Sequence, residues 1–307
     1  MDNVFSSLVN KSARGFCLVC FFAAGLLMVG ALQPSAGAPK PDRIIEPANL
    51  SAAQERASRL NQPLLLLVTE SGSSRADDQA RNAFESRSVR QKADGKVLLA
   101  MMDLSVSRVR ATATRFHPLE TPLLVCLSPR GIVLSRSQKP ITQERILQDM
   151  RQAVETSPET DRKLGELENA AHNSKNDSSA QLALADFLME HNNAFEAIPI
   201  LEVVAHSKNV STPVRIRVWA DLVRANFWIA EPEKAHREAM DLIAELGTAN
   251  PEARAAANLM LGNQDATNPK RIERARQEFR EAVSAAPESV YGKQAAAALA
   301  NLPKGSQ

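Results

Sequence analysis

Cysteine, histidine and serine are the residues of this 307-residue chain with the most chemical potential. Cys17 and Cys20 have the Cys-x-x-Cys spacing of a dithiol redox motif, but they lie inside the apolar run Phe16 to Leu32. A redox pair needs a strand-to-helix turn that lowers a thiol pKa, so these two read as small apolar residues. Cys126 is the third cysteine, flanked by Val125 and Leu127. A buried apolar setting makes a thiol inert. A peroxidase or mixed-disulfide enzyme using Cys126 alone is the enzymatic alternative. The histidines, His117, His172, His191, His206 and His236, stand neither three nor four residues from one another or from a cysteine. That spacing excludes a zinc motif, and no metal site is expected. Ser71, Gly72, Ser73, Ser74 and Arg75 form a serine-rich stretch without a Gly-x-Ser-x-Gly elbow or a histidine placed to activate it. Its hydroxyls read as helix caps. No phosphate-cradling loop or dinucleotide fingerprint occurs, so no cofactor is expected. No catalytic residue is assigned.

A formal charge of +2 and 4% aromatic residues argue against a nucleic-acid partner. Residues 1–38 read as a signal peptide or membrane anchor: Lys11 and Arg14 precede the apolar run, and Ala36-Gly37-Ala38 follows it. Pro39 makes cleavage directly after Ala38 unfavourable. Cleavage after Ala31 or Gly37 and retention as an anchor through residues 16–32 both stay open. The expected location is the periplasm or cell envelope, with membrane contact only through this segment. Residues 39–48 are proline-rich and read as a tether.

The elements that must position the serine stretch follow. Ser51 and Gln54 have capping-box spacing before a helix to about Leu60. Leu64 to Val68 is an apolar strand, and Arg75 to about Arg90 a helix with Asp77 and Asp78 at its positive end. A second strand, Val97 to Met102, ends at Asp103, and a helix is expected over Ser105 to Arg115. Thr121-Pro122 precedes a third strand, Leu123 to Leu127. Ser128-Pro129-Arg130-Gly131 is a reverse turn leading to a hairpin strand, Ile132 to Ser135. Thr142 caps a helix with the stripe Ile146, Leu147, Met150, Val154. The continuous apolar runs read as buried parallel strands.

This α-β-α-β-α-β-β-α order, with Thr121-Pro122 before the third strand, resembles the thioredoxin fold over roughly residues 47–156. The domain is placed at residues 49–156. The resemblance implies a cis Pro122 beside Ser71–Ser74. The register of Ser71–Arg75 against the family's Cys-x-x-Cys stays open, but in every register both cysteine positions hold Ser, Gly or Arg. Serine has no accessible redox couple, so no dithiol oxidoreductase activity is expected.

Thr156 to Asp161 reads as a linker or helix start. Residues 157–307 then read as an all-α region with helices near 161–173, 178–191, 194–206, 212–229, 232–246, 251–262, 269–285 and 289–301. Leu184, Ala185, Leu188, Ala197, Leu201 and Val204, then Trp219, Leu222 and Ala235, then Ala275, Phe279, Ala282 and Pro287 resemble a degenerate tetratricopeptide pattern. Asn263–Pro269 reads as an insertion in it. The resemblance implies a solenoid of three helix pairs and a closing helix. Carried over by position, Asp186, Met189 and Glu190 would face Arg217, Arg224 and Phe227 across a peptide groove. The expectation is an exported, non-catalytic module that binds a protein or peptide as scaffold, assembly factor or chaperone-like adaptor.

Overall fold

A computed structural model describes residues 50–303, apart from 117–119, 139, 174–176 and 208. The signal or anchor segment, the tether, Cys17, Cys20 and His117 lie outside the described residues. Pro41–Gln307 forms one compact unit by its internal contacts.

Its first part is a four-stranded mixed sheet in the order β2-β1-β3-β4. The strands are β1 Leu64–Thr69, β2 Leu98–Asp103, β3 Leu123–Leu127 and β4 Val133–Ser137. β1 pairs parallel with β2 and antiparallel with β3, and β3 pairs antiparallel with β4. β3 was expected to be parallel from its unbroken apolar run. It is antiparallel, yet every one of its residues is buried, because helices cover both faces of the sheet.

Alternation along β1 sorts its side chains between two cores. Leu64, Leu66 and Val68 pack with α1 (Leu50–Leu60) and α4 (Ser107–Ala113). Leu65 and Leu67 pack with α2 (Arg75–Phe84), α3 (Arg87–Ala93) and the first half of α5 (Gln143–Asn173). Two sequence expectations need correction here. The helix over Arg75–Arg90 is two helices, because the Ser86 side chain accepts from the Val89 amide (3.4 Å) and starts α3 afresh. Gln54 does not close a capping box: it lies inside α1, and its amide donates to the carbonyls of Ser128 (3.2 Å) and Pro129 (2.8 Å).

The break expected at Thr156–Asp161 is also absent. α5 runs through it as one 31-residue helix with Pro158 inside. A proline in a helix interior costs about 3 kcal/mol, so tertiary contacts must offset it. Beyond the proline, Asp161 accepts from the Ser128 hydroxyl, and Glu168 pairs with Arg130. Both partners belong to the β3–β4 turn, which therefore fastens the far half of α5 to the sheet.

The remaining described residues form helices and their turns: α6 Ser178–Glu190, α7 Ala194–Ala205, α8 Thr212–Trp228, α9 Pro232–Leu242, α10 Pro251–Ala266, α11 Ile272–Ala285 and α12 Val290–Asn301. Asn263 to Ala266 belong to α10 rather than to an insertion. Successive helices pack in sequence. Ala197, Ala235 and Ala275 are fully buried, and small residues at such contacts let helix axes approach closely.

Three helices end in Schellman motifs, with the left-handed residue at Asn61, Asn192 and Ala230 (φ 51°, 56° and 63°). At α8 the Glu231 amide donates to the Asn226 carbonyl (2.9 Å) and the Ala230 amide to Phe227 (3.1 Å). Asparagine adopts this conformation readily, whereas it costs alanine about 1 kcal/mol.

The α6–α7 turn joins the helical region to the sheet. Asn193 precedes α7, where an asparagine ordinarily caps the helix. Its side chain makes no capping bond. Instead its Oδ1 accepts from the Val133 amide (2.9 Å), and its Nδ2 donates to the Gly131 carbonyl (3.1 Å). His191 Nδ1 contacts the Val133 carbonyl oxygen at 3.1 Å. Arg115 adds an ion pair to Glu196 on α7.

Asn193→Ala is expected to destabilise the protein by about 2–3 kcal/mol, because it strands the buried Val133 amide. Urea unfolding monitored by circular dichroism measures it, and an unchanged midpoint would show the clamp to be dispensable. Ala230→Gly is expected to stabilise by about 1 kcal/mol by relieving the left-handed alanine. A rise in the thermal midpoint checks this.

Candidate functional site

The serine-rich stretch occupies the loop between the end of β1 and the start of α2. Ser71 and Ser73 are exposed, and Gly72 has φ +75°, a conformation that suits glycine. Two carboxylates hold the loop from either side.

Asp77, in the first turn of α2, is 2% exposed. Its carboxylate accepts from the Ser73 hydroxyl (2.7 Å), the Ser74 hydroxyl (2.5 Å), the Glu70 amide (3.3 Å) and the Thr121 hydroxyl (3.4 Å). Ser74 caps the helix in return, accepting from the Asp77 amide (3.2 Å). Burial opposes ionisation of Asp77, but the hydrogen bonds from Ser74, Ser73, Glu70 and Thr121 outweigh it and lower its pKa.

Asp103, at the end of β2, accepts from the Ser71 amide (3.1 Å) and hydroxyl and from the Ser105 amide (2.9 Å). Arg81 donates to Thr69 Oγ1 (3.1 Å) and Ser71 Oγ (2.9 Å), and lies 3.4 Å from Asp103. Burial again raises the acid's pKa, and the bonds from Ser71 and Ser105 override it, leaving Asp103 well below the ordinary carboxylate range. The position of Asp103 follows from the parallel register, which sets Thr69 opposite Asp103. Both parallel strands therefore end at this loop.

The Thr121–Pro122 peptide is cis. Thr121 reaches the loop through Asp77, so the structure brings together Ser71, Ser73, Ser74, Thr121 and Pro122. Arg75 starts α2. Glu70 is held outward by an ion pair to Arg110.

This arrangement is poorly suited to nucleophilic catalysis. Ser71 donates to a carboxylate too acidic to serve as a base near neutral pH, and its oxygen already accepts from Arg81. Cys126 lies away from the loop, in the middle of β3. It is 1% exposed, and burial pushes its thiol up to about 12. Among the described residues no cluster of three or more His, Cys, Asp or Glu could hold a metal. No described helix is long and apolar enough to cross a membrane.

The six groove residues fare differently. Arg217 pairs with Asp186 across α6 and α8, and both Arg217 (3.4 Å) and Arg224 (2.8 Å) pair with Asp221. Met189 is buried in the helical core, and Phe227 packs against a second cluster with Val223, Ala235 and Ala239. Glu190 ends α6 on the surface. The acids and arginines expected on facing walls thus largely neutralise one another. Sequence reasoning missed Arg81 and Asn193 and gave Asp77 and Asp103 only local roles. The visible signal was two acids at the ends of apolar strands and helix starts, which carries no pairing information.

Because both loop acids have lowered pKa values, their contribution to stability is present above the ordinary carboxylate value of 3.8 and is lost as pH falls below it. Asp103→Asn is expected to flatten the loss of stability between pH 4 and about pH 2 relative to the parent. Urea midpoints measured across that range test it, and parallel curves would remove Asp103 from the acid response. Compared with known proteins, the chain matches no family model and no curated sequence.

Proposed function

We propose that this chain is an exported, non-catalytic protein-interaction module. A thioredoxin-like domain without redox cysteines binds extended polypeptide, and a tetratricopeptide-like helical region carries it. The sheet order β2-β1-β3-β4, with only β1 and β2 parallel, supports the thioredoxin-like layout. Sequentially packed helices with alanines at their contacts support the tetratricopeptide-like one. Export rests on the composition of residues 1–38, either cleaved or kept as an anchor.

One observation carries the binding reading. Asp77 ties the serine loop to Thr121, and the Thr121 main chain has no hydrogen bond to another described residue. Thr121 is a half-exposed residue, and main chain of this kind beside an ordered loop can pair with an extended chain, as in strand addition. The paired charges between α6 and α8 lend the helical groove less support than the loop. The Cys126 enzyme is disfavoured by a thiol held up at about 12.

Photo-crosslinking tests this. A benzophenone side chain placed at Ser73 or Thr121 of the full chain is expected to capture an added unfolded, cysteine-free polypeptide. The same group at exposed Val203 is expected not to. Equal labelling at all three positions, or peroxide reduction that depends on Cys126, would overturn the reading.

A further inference from the structure

A cleft of about 310 Å³ opens where α3, the start of β2 and α5 meet. It lies beside Val97, at the opposite end of the parallel strand pair from Asp103 and the serine loop, about 20 Å away along the strands. Its α5 wall is the stripe Leu147, Met150 and Val154, and Val154 is 40% exposed. An exposed valine on the floor of a concavity leaves apolar area open to water that a ligand would cover.

Three cations line the same cleft: Lys92 from the last turn of α3, Lys96 from the turn after it, and Arg151 from α5. None of their side chains has a hydrogen bond or ion pair among the described residues. One carboxylate, Glu155, shares the rim. An apolar floor under a net positive rim matches an amphiphile with one anionic end.

The polar groups decide between two kinds of anionic amphiphile. A peptide needs acceptors for its amides, and Glu155 is the one acceptor side chain lining the cleft. The amides of Lys96 and Val97 are already spent on the Ala93 carbonyl. A hydrocarbon chain needs neither donors nor acceptors, and its carboxylate takes the lysine and arginine donors.

We propose that this cleft binds an aliphatic carboxylate, with the chain along Leu147, Met150 and Val154 and the head group at Lys92, Lys96 and Arg151. The site is independent of the serine loop and of the peptide-binding reading.

Calorimetric titration of the full chain with dodecanoate, below its micelle-forming concentration, tests the proposal. The triple variant Lys92→Gln, Lys96→Gln, Arg151→Gln is expected to weaken binding roughly tenfold. All three residues are exposed, so the fold is retained. Val154→Asp is expected to abolish binding, and Glu155→Gln to tighten it. Dodecanol binding as tightly as dodecanoate, no change in the triple variant, or an acidic leucine-containing peptide displacing dodecanoate would each overturn the proposal.

Discussion

The β3–β4 turn is the point on which the rest of the molecule converges. Three separate elements hydrogen-bond its main chain or its Ser128 and Arg130 side chains. Gln54 comes from α1, Asp161 and Glu168 from α5, and Asn193 from the α6–α7 turn. The turn itself closes through the Gly131 amide on the Ser128 carbonyl (2.9 Å), with Gly131 at φ +88°. The Ser128 hydroxyl also accepts from the Arg130 and Ile132 amides (3.2 Å each). A buried turn must have its backbone groups paired, and here residues distant in sequence do much of that work. The same bonds that satisfy the turn also dock the helices, so sheet and helical region form one unit.

At the other end of the strands, two carboxylates organise a loop that carries serine hydroxyls and no thiol. Asp77 and Asp103 accept hydroxyl and amide protons that water would otherwise satisfy. The loop is therefore ordered without a covalent or metal link. Order of this kind limits the entropic cost of binding a partner, and it leaves serine hydroxyls engaged rather than reactive. The one thiol among the described residues, Cys126, sits in the core of the sheet, where a thiolate would be poorly solvated.

The helical region stabilises itself by close approach more than by charge. Its alanines are buried at helix contacts, and Trp219 is fully buried with the His206 ring packed edge-on at 5.1 Å. The salt bridges of α8, one of them reaching Asp186 on α6, are partly exposed, and such pairs contribute little to stability. Their main consequence is electrostatic: they leave a nearly neutral wall where separated charges would have made a peptide groove.

The sequence by itself determined which segments are strands and helices in most of the described chain. Unbroken apolar runs such as Leu64–Val68 and the stripe Ile146, Leu147, Met150 and Val154 are local periodicities, although Val154 at the end of that stripe is 40% exposed. It also showed that the loop lacks thiols, since that is a matter of residue type. The direction of β3 was not legible, because burial on both faces erases the alternation that distinguishes sheet environments. Continuity of α5 through Pro158 was not legible either: the local cost of a helical proline is offset by Arg130 and Ser128, about thirty residues away. Nothing in the sequence singled out Asn193, while Gln54 looked like half of a capping box and Asp103 like a strand end. Each side chain instead bonds a partner remote in sequence. Such partners are chosen by strand register and helix docking, so only the tertiary structure decides them.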